Sequence, residues 1–572
     1  MPEPRGLPHL HLDLTDCRRH LVQATLRFEP RTAHTVLRLP AWTPGSYLIR
    51  DYVRTLEGLR AEQGGRDLPV ERLETACWRL HADGDGAVLL HWRLLATELT
   101  VRNCHLNGDH GFLCLAGVAL LVEGERWSPH RLTLSLPDTW QPFVSLSEEG
   151  AGWIARDYDQ LIDSPIEAGP HPCHHFAVAG VPHRWVSWGE DLPSQDSRWL
   201  ADVSAVALAC CRLMGVERPA SEAYLVVLHL LAKGFGGLEH DEGCVLQYGR
   251  HALREPHGRR RLLQLVAHEY LHQWNVRRLR PAELTPIAYD RACLVPTLWF
   301  AEGVTSYYDQ LLPVAAGLAT EAELLDDLGA DLSRYLLTPG RRVQSLRESS
   351  QEAWVKLYRP DPHNGDSQVS YYLKGAVIAL VLDLHLRRHG SALSLVLQQL
   401  WQSHGRHGRG YLEADLLRAF SRHAEDLSTL LPCWLESGED PDLPSYLADV
   451  GLKLTAEIGS QPTTGWHCGS AMTLERVGRG GAAAAAGLQV GDELLALQGE
   501  RLRSPEQLDQ LLGHNGADGG CPITLLYCRD GRIRETSLIP GPPETARWSL
   551  AIDSASGAKA AERRRRWLEL VP

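Results

Sequence analysis

The sequence predicts a multidomain chain: an N-terminal β-sandwich-like domain, a central α+β domain with a helical portion, and a small C-terminal β-rich module. Three observations predict it. The chain has 572 residues, more than a single hydrophobic core organises. Apolar residues alternate with polar ones up to about residue 180, the period of half-buried strands. Helical periodicity then dominates from about 185, and short strands return near 450. These changes set the expected boundaries at 1–183, 184–448 and 449–545, with a C-terminal tail over 546–572.

In the first part, residues 21–28 place Val22, Ala24, Leu26 and Phe28 on one face. Residues 35–39 and 87–94 alternate in the same way, and Gly84-Asp85-Gly86 and Asn107-Gly108-Asp109 supply turns between strands. In the second part, strands are expected at 223–231 and 243–248, and helices at 199–214, 259–274, 297–312, 321–337, 369–388 and 412–423. In the third part, 480–499 reads as a short helix, a turn, a strand and a turn. Residues 504–512 read as a helix, and 522–528 and 533–538 as strands closing a small barrel-like module. The tail beyond 545 is weakly specified by pattern.

Charge narrows the partners. Lys and Arg number 58 against 71 Asp and Glu, a net charge of -13, which disfavours nucleic acid or an anionic membrane as main partner. The basic run 563–566 reads as a solvated helix face or tail. No segment offers the roughly 18 uninterrupted apolar residues of a membrane span. The opening Met1-Pro2-Glu3-Pro4-Arg5-Gly6 does not read as a signal peptide. Thirteen cysteines are scattered and form no CxxC pair, as in a reduced, cytoplasmic protein.

The chemistry concentrates in His268-Glu269-Tyr270-Leu271-His272. Residues four apart share a helix face, so His268 and His272 can present two imidazoles to one metal ion. Glu269 stands where a general base is needed to take a proton from water activated by that ion. Glu302, in Trp299-Phe300-Ala301-Glu302-Gly303, offers the third ligand from a second helical pattern. Two histidines and one carboxylate leave a zinc position open, the mark of a catalytic site. Leu262, Leu263, Leu265, Val266 and Leu271 make the preceding run apolar. Burying the two histidines and the glutamate there is costly unless they are paired or ligated. Glu283 and Asp290, in the loop-like, proline-rich 277–296, compete with Glu302 for the ligand role. The run His171-Pro172-Cys173-His174-His175 looks like a metal cluster, but its spacing fits no helical ligand pair and it falls at a β-domain edge.

The segments 268–281 and 299–308 together closely resemble the glycyl aminopeptidase family of zinc peptidases, an HExxH…E gluzincin group distantly related to the aminopeptidase N group. The segment Pro40-Ala41-Trp42-Thr43-Pro44-Gly45-Ser46-Tyr47-Leu48-Ile49-Arg50-Asp51-Tyr52 is similar to that family's N-terminal signature. Ala486-Gly487-Leu488 with Gly491-Asp492 is similar to a PDZ signature. The resemblance spans about residues 10–540 and implies a thermolysin-like catalytic domain and a C-terminal PDZ domain.

Two more matches carry implied roles. Gly236-Gly237-Leu238-Glu239-His240 resembles the GGMEN exopeptidase segment of the aminopeptidase N group, an edge strand whose Glu holds the substrate's free amine; Glu239 is the matching residue. His240 replaces the Asn of that pattern and is expected to alter pocket polarity. Tyr371-Tyr372-Leu373-Lys374-Gly375 resembles a Tyr-x-Lys-Gly segment whose phenol stabilises the oxyanion. This implies Tyr372, with Tyr371 as rival if the register differs by one.

The expected function is a zinc aminopeptidase with one Zn2+ per chain, acting on peptide substrates. By resemblance it prefers a small N-terminal residue, Gly or Ala. The alternatives are a PDZ-containing peptide-binding protein with an inactive or structural zinc site, or a zinc endopeptidase. The PDZ domain is expected to bind a peptide or to mediate self-association. Its loop 464–469 departs from the usual Gly-Leu-Gly-Phe carboxylate loop.

Overall fold

The computed structural model describes residues 6–82, 86–515 and 520–570. The expected turn at Gly84-Asp85 and the opening Met1–Arg5 lie outside them. The face predicted for residues 21–28 is the buried one: Val22, Ala24, Leu26 and Phe28 are all at most 2% exposed. That strand, Leu21–Phe28, lies inside an eight-stranded sheet, antiparallel to His9–Asp13 and to Val88–Leu95. Strand His34–Arg38 belongs instead to a four-stranded sheet with Cys77–His81. The turn at Asn107 closes through its own side chain, whose Oδ1 accepts from the Asp109 and His110 backbone N–H groups.

The central sheet has five strands in the order Cys173–Val178, Val181–Trp188, Tyr224–Leu231, Gly243–Gly249, Phe235–His240. The middle three run parallel and both outer strands antiparallel to their neighbours. Tyr224–Leu231 is buried along nearly its whole length, which explains its unbroken apolar run. The histidine-rich stretch 171–175 does not act as one cluster. Its second half opens the first strand of this sheet, and His174 Nε2 bonds Asp191 at 2.8 Å.

The predicted helices are present as Trp199–Leu213, Gly258–Leu271, Val304–Ala315, Glu321–Leu336, Tyr371–Arg388 and Glu413–His423. Further helices include Leu393–Ser403, Leu427–Glu436 and Leu443–Asp449. The stretch 277–296, read as a surface loop, is largely anchored. Leu279 and Val295 are fully buried, Ala41 N donates to Tyr289 O, and the Trp42 indole donates to Ala288 O. The N-terminal signature loop therefore holds this insertion.

The C-terminal module has its own core, including Leu474, Leu494, Leu497, Leu508, Ile523, Leu525 and Leu538. Asp492 of its Gly-Asp pair is fully buried and takes both bonds of the Arg529 guanidinium at 2.7 Å. The segment past 545 is firmly structured, contrary to its weak pattern. Strand Thr545–Ile552 pairs antiparallel with Leu452–Ile458, and Trp548 N donates to Ser333 Oγ on helix Glu321–Leu336. Helix Ala558–Leu568 buries Trp567, whose indole donates to Tyr307 Oη. The basic run is only partly a solvated face: Arg564 pairs with Glu321 at 2.5 Å and is mostly covered.

Backbone packing divides the chain into two compact units, each discontinuous in sequence. One holds the residues up to Val295 with Leu311–Ala319 and Ser394–Leu416. The other holds Pro296–Gln310, Thr320–Leu393 and the residues from Leu417 onward. Among the described residues no helix is long and apolar enough to cross a membrane. All thirteen cysteines are free thiols.

Candidate active site and metal centre

Helix Gly258–Leu271 turns its apolar stripe inward; Leu262, Leu263, Val266 and Leu271 are at most 1% exposed. The opposite requirement falls on its last turn, where the polar residues gather. The His268 and His272 rings stand 4.7 Å apart, nearly perpendicular. His272 caps the helix, and its Nδ1 bonds the Asn275 carbonyl at 2.5 Å. That bond fixes the ring tautomer and leaves Nε2 as the ligand atom.

Glu302 is 2% exposed and lies in a π-helical turn, Trp299–Gly303, directly before helix Val304–Ala315. Such turns widen a helix locally and re-aim a side chain. His268 and His272 thus offer two imidazoles from one helical turn, and Glu302 offers a buried carboxylate. Two imidazoles and a carboxylate, largely buried and with one ring oriented by a backbone carbonyl, suit a zinc ion. The rivals Glu283 and Asp290 have other settings. Glu283 sits in the short turn Ala282–Leu284, and Asp290 pairs with Arg291 at 3.6 Å.

Gly303 and Gly375 explain how the next helix approaches. A Cβ on Gly303 would stand 2.5 Å from the Gly375 backbone. Helix Tyr371–Arg388, N-capped by Ser370, can therefore pass closely over the turn that carries Glu302. Lys374 anchors it from below. Its side chain is fully buried and donates to Arg341 O and Ser437 O, and burial lowers its ammonium to about 8. Tyr371 is fully buried, whereas Tyr372 is half-buried and its hydroxyl bonds that of Tyr358 at 3.1 Å.

The segment around Glu239 is the edge strand Phe235–His240. Strand alternation puts Gly237 and Glu239 on one face. A Cβ on Gly237 would stand 2.1 Å from Glu269 Oε1, so only glycine lets the strand lie this close to the helix. Glu239 is 3% exposed, and its Oε1 has no hydrogen-bond partner. Ligand atoms of Glu239, Glu269 and His272 lie within 4.8 Å of one another. A buried carboxylate oxygen without a donor is costly, and a substrate ammonium would satisfy it.

His240 does not line this face. Its Nδ1 bonds Asp163 at 3.2 Å, in a cluster where Arg277 pairs with Asp163 at 2.8 Å and Asp241 at 2.9 Å. Burial by itself would raise the Asp241 carboxyl; the Arg277, Arg280 and Arg278 charges outweigh it and hold it well below the carboxylate range. The expected change in pocket polarity is thus replaced by a role in holding the strand's end.

Sequence reasoning missed Gly45, Asn275 and Tyr358. Gly45 was legible only as part of the 40–52 signature, and Asn275 only as a neighbour of His272. Tyr358 carried no signal, because it lies in a run without periodicity.

The chain matches the M61 peptidase N-terminal domain over residues 9–170, the M61 glycyl aminopeptidase domain over 261–378 and a PDZ domain over 473–518. Comparison with curated proteins found no match. Among solved structures, an aminopeptidase N family protein of Idiomarina loihiensis matches with a TM-score of 0.91 and 28% identity, covering 98% of this chain and 100% of that one. An M1 zinc metallopeptidase of Deinococcus radiodurans matches with a TM-score of 0.49 and 14% identity, over 77% of this chain and 95% of that one. Legionella pneumophila aminopeptidase A matches with a TM-score of 0.48 and 15% identity, over 80% of this chain and 51% of that one. Both peptidase domains and the PDZ domain are matched in order along the chain, which is that of a zinc metallopeptidase whose peptidase domains are similar to those of the M61 glycyl aminopeptidase family.

Proposed function

We propose that this zinc aminopeptidase removes small N-terminal residues, Gly or Ala, from peptides. In this reading His268, His272 and Glu302 hold one zinc ion per chain. When bound, the ion supplies Lewis acidity that acidifies water and polarises the scissile carbonyl. Glu269 accepts the water's proton and later returns it to the leaving amine, whose C–N bond breaks. Tyr372 donates a hydrogen bond to the carbonyl oxygen as negative charge develops there. Glu239 pairs with the substrate ammonium and sets the distance from the free N-terminus to the reacting bond.

The observation that carries the reading is the orphaned, buried Glu239 Oε1 beside Glu269 and His272. It supports recognition of a cation next to the proton-transfer group. The preference for a small residue rests on the family resemblance and on crowding: a Cβ on Gly45 would meet both Glu239 and Leu238. The domain limits proposed from sequence, 1–183, 184–448, 449–545 and 546–572, keep the catalytic residues within the second part. The PDZ domain is proposed to add a peptide as an extra strand or to mediate self-association.

The test is digestion of one peptide with a free and with an acetylated N-terminus. Stepwise release of the first residue from the free form alone is expected. Equal cleavage of both at internal bonds would replace the aminopeptidase reading with an endopeptidase one.

A further inference from the structure

Away from this site, one carboxylate collects three imidazoles. Glu167, on strand Ile166–Gly169, is fully buried. Its Oε1 lies 2.8 Å from His110 Nδ1 and 2.8 Å from His171 Nε2, and its Oε2 lies 2.8 Å from His229 Nε2. His110 follows the Asn107 turn, and Phe112, two residues later, is the register partner of Glu167 across the sheet. His229 comes from strand Tyr224–Leu231 of the five-stranded sheet. Trp188 stacks on His110 and Phe143 on His171, so the group has an aromatic wall.

Charge makes this arrangement informative. Glu167 is a fully buried carboxylate whose hydrogen-bond partners are three imidazole nitrogens. Among the described residues no Lys or Arg pairs with it; its ion-pair partners are the three histidines. His110 Nε2 and His229 Nδ1 are buried without hydrogen-bond partners, so each ring keeps polar capacity that the group itself does not use.

We propose that His110, Glu167 and His171 form a second divalent-metal site, for zinc or a similar borderline cation, with His229 orienting the carboxylate. Ligand atoms of the three lie within 4.8 Å of one another. Neighbouring donors around an ion with bonds of about 2.0–2.1 Å stand roughly 3 Å apart, close to the spacing found. Two imidazoles and a carboxylate favour zinc over calcium or magnesium, which prefer all-oxygen shells. His229 then donates its Nε2–H to the other carboxylate oxygen, the usual outer support of a ligating carboxylate. On binding, the ring hydrogen of His110 moves from Nδ1 to Nε2 and that of His171 from Nε2 to Nδ1. Both lone pairs face the ion, and any extra proton held by the group leaves to solvent. His171, 8% exposed, is the entry side. Because Glu167 and His229 lie on strands of different sheets, the bond from His229 to the ligating carboxylate would tie the N-terminal strands to the catalytic sheet.

The test is metal analysis of the full chain carrying His268→Ala and His272→Ala, after incubation with zinc sulfate and dialysis. About one zinc per chain is expected to remain, and adding Glu167→Gln is expected to remove it. Should that triple variant fail to fold, His171→Ala at the rim serves in its place, with circular dichroism confirming the fold. No zinc in the double variant, or zinc that survives both further substitutions, overturns the proposal and leaves a proton-held cluster.

Discussion

A methyl group on Gly45 would stand 2.5 Å from Glu239 Oε2 and 2.7 Å from its Oε1. The N-terminal signature loop thus ends against the carboxylate proposed to hold the substrate's amine. Gly45 also has φ +80°, a conformation that side chains rarely adopt. Gly45→Ala is expected to displace Glu239 and to lower kcat/KM on free-amine substrates by about tenfold or more, mostly through KM. Zinc content should be unchanged. Steady-state kinetics with metal analysis check this, and an unchanged KM removes Gly45 from the amine site.

Glu269→Gln keeps both histidines, so zinc should stay while turnover falls. An amide cannot accept the water's proton, and losing a general base costs about 10²–10⁴-fold. Near-normal turnover at full zinc occupancy would take Glu269 out of the mechanism.

Glu302→Ala removes the carboxylate from the proposed ligand set and should lower zinc content and rate together. Metal analysis of the purified variant decides it. Full occupancy would return attention to Glu283 or Asp290.

Tyr372→Phe should lower kcat with little change in KM, because the phenol matters only once charge develops on the carbonyl oxygen. Tyr358→Phe, which removes its 3.1 Å hydroxyl partner, should have a smaller effect of the same kind. If Tyr371→Phe does the damage and Tyr372→Phe does not, the register is off by one.

Trp567→Ala tests the C-terminal helix. Its indole is fully buried and donates to Tyr307 Oη at 2.7 Å, and Tyr307 in turn donates to Asp383. A cavity of this size should cost about 3–5 kcal/mol. Urea unfolding checks it; a loss near zero would make the helix an appendage.

The sequence by itself determined the parts whose signal is local. The His268–His272 spacing needs only one helical turn. The alternation of Val22, Ala24, Leu26 and Phe28 needs only one strand, and burial follows the pattern. The roles proposed for Tyr372 and Glu239 rest on motif resemblance. What the pattern could not carry was decided by packing between distant segments. Gly45 and Gly237 look like ordinary turn or strand glycines until the chain brings Glu239 and Glu269 against them. Glu302 reads as plain helix, whereas the structure places it in a π turn, because hydrogen-bond register within a helix leaves no trace in apolar spacing. The tail lacked periodicity since its anchors, Trp548, Arg564 and Trp567, act singly on partners more than two hundred residues away. The same reason hid the group around Glu167: that carboxylate stands only four residues before His171, but His110 and His229 arrive from a turn and from a separate strand. Side-chain periodicity encodes which face is buried; only the tertiary structure decides what that face meets.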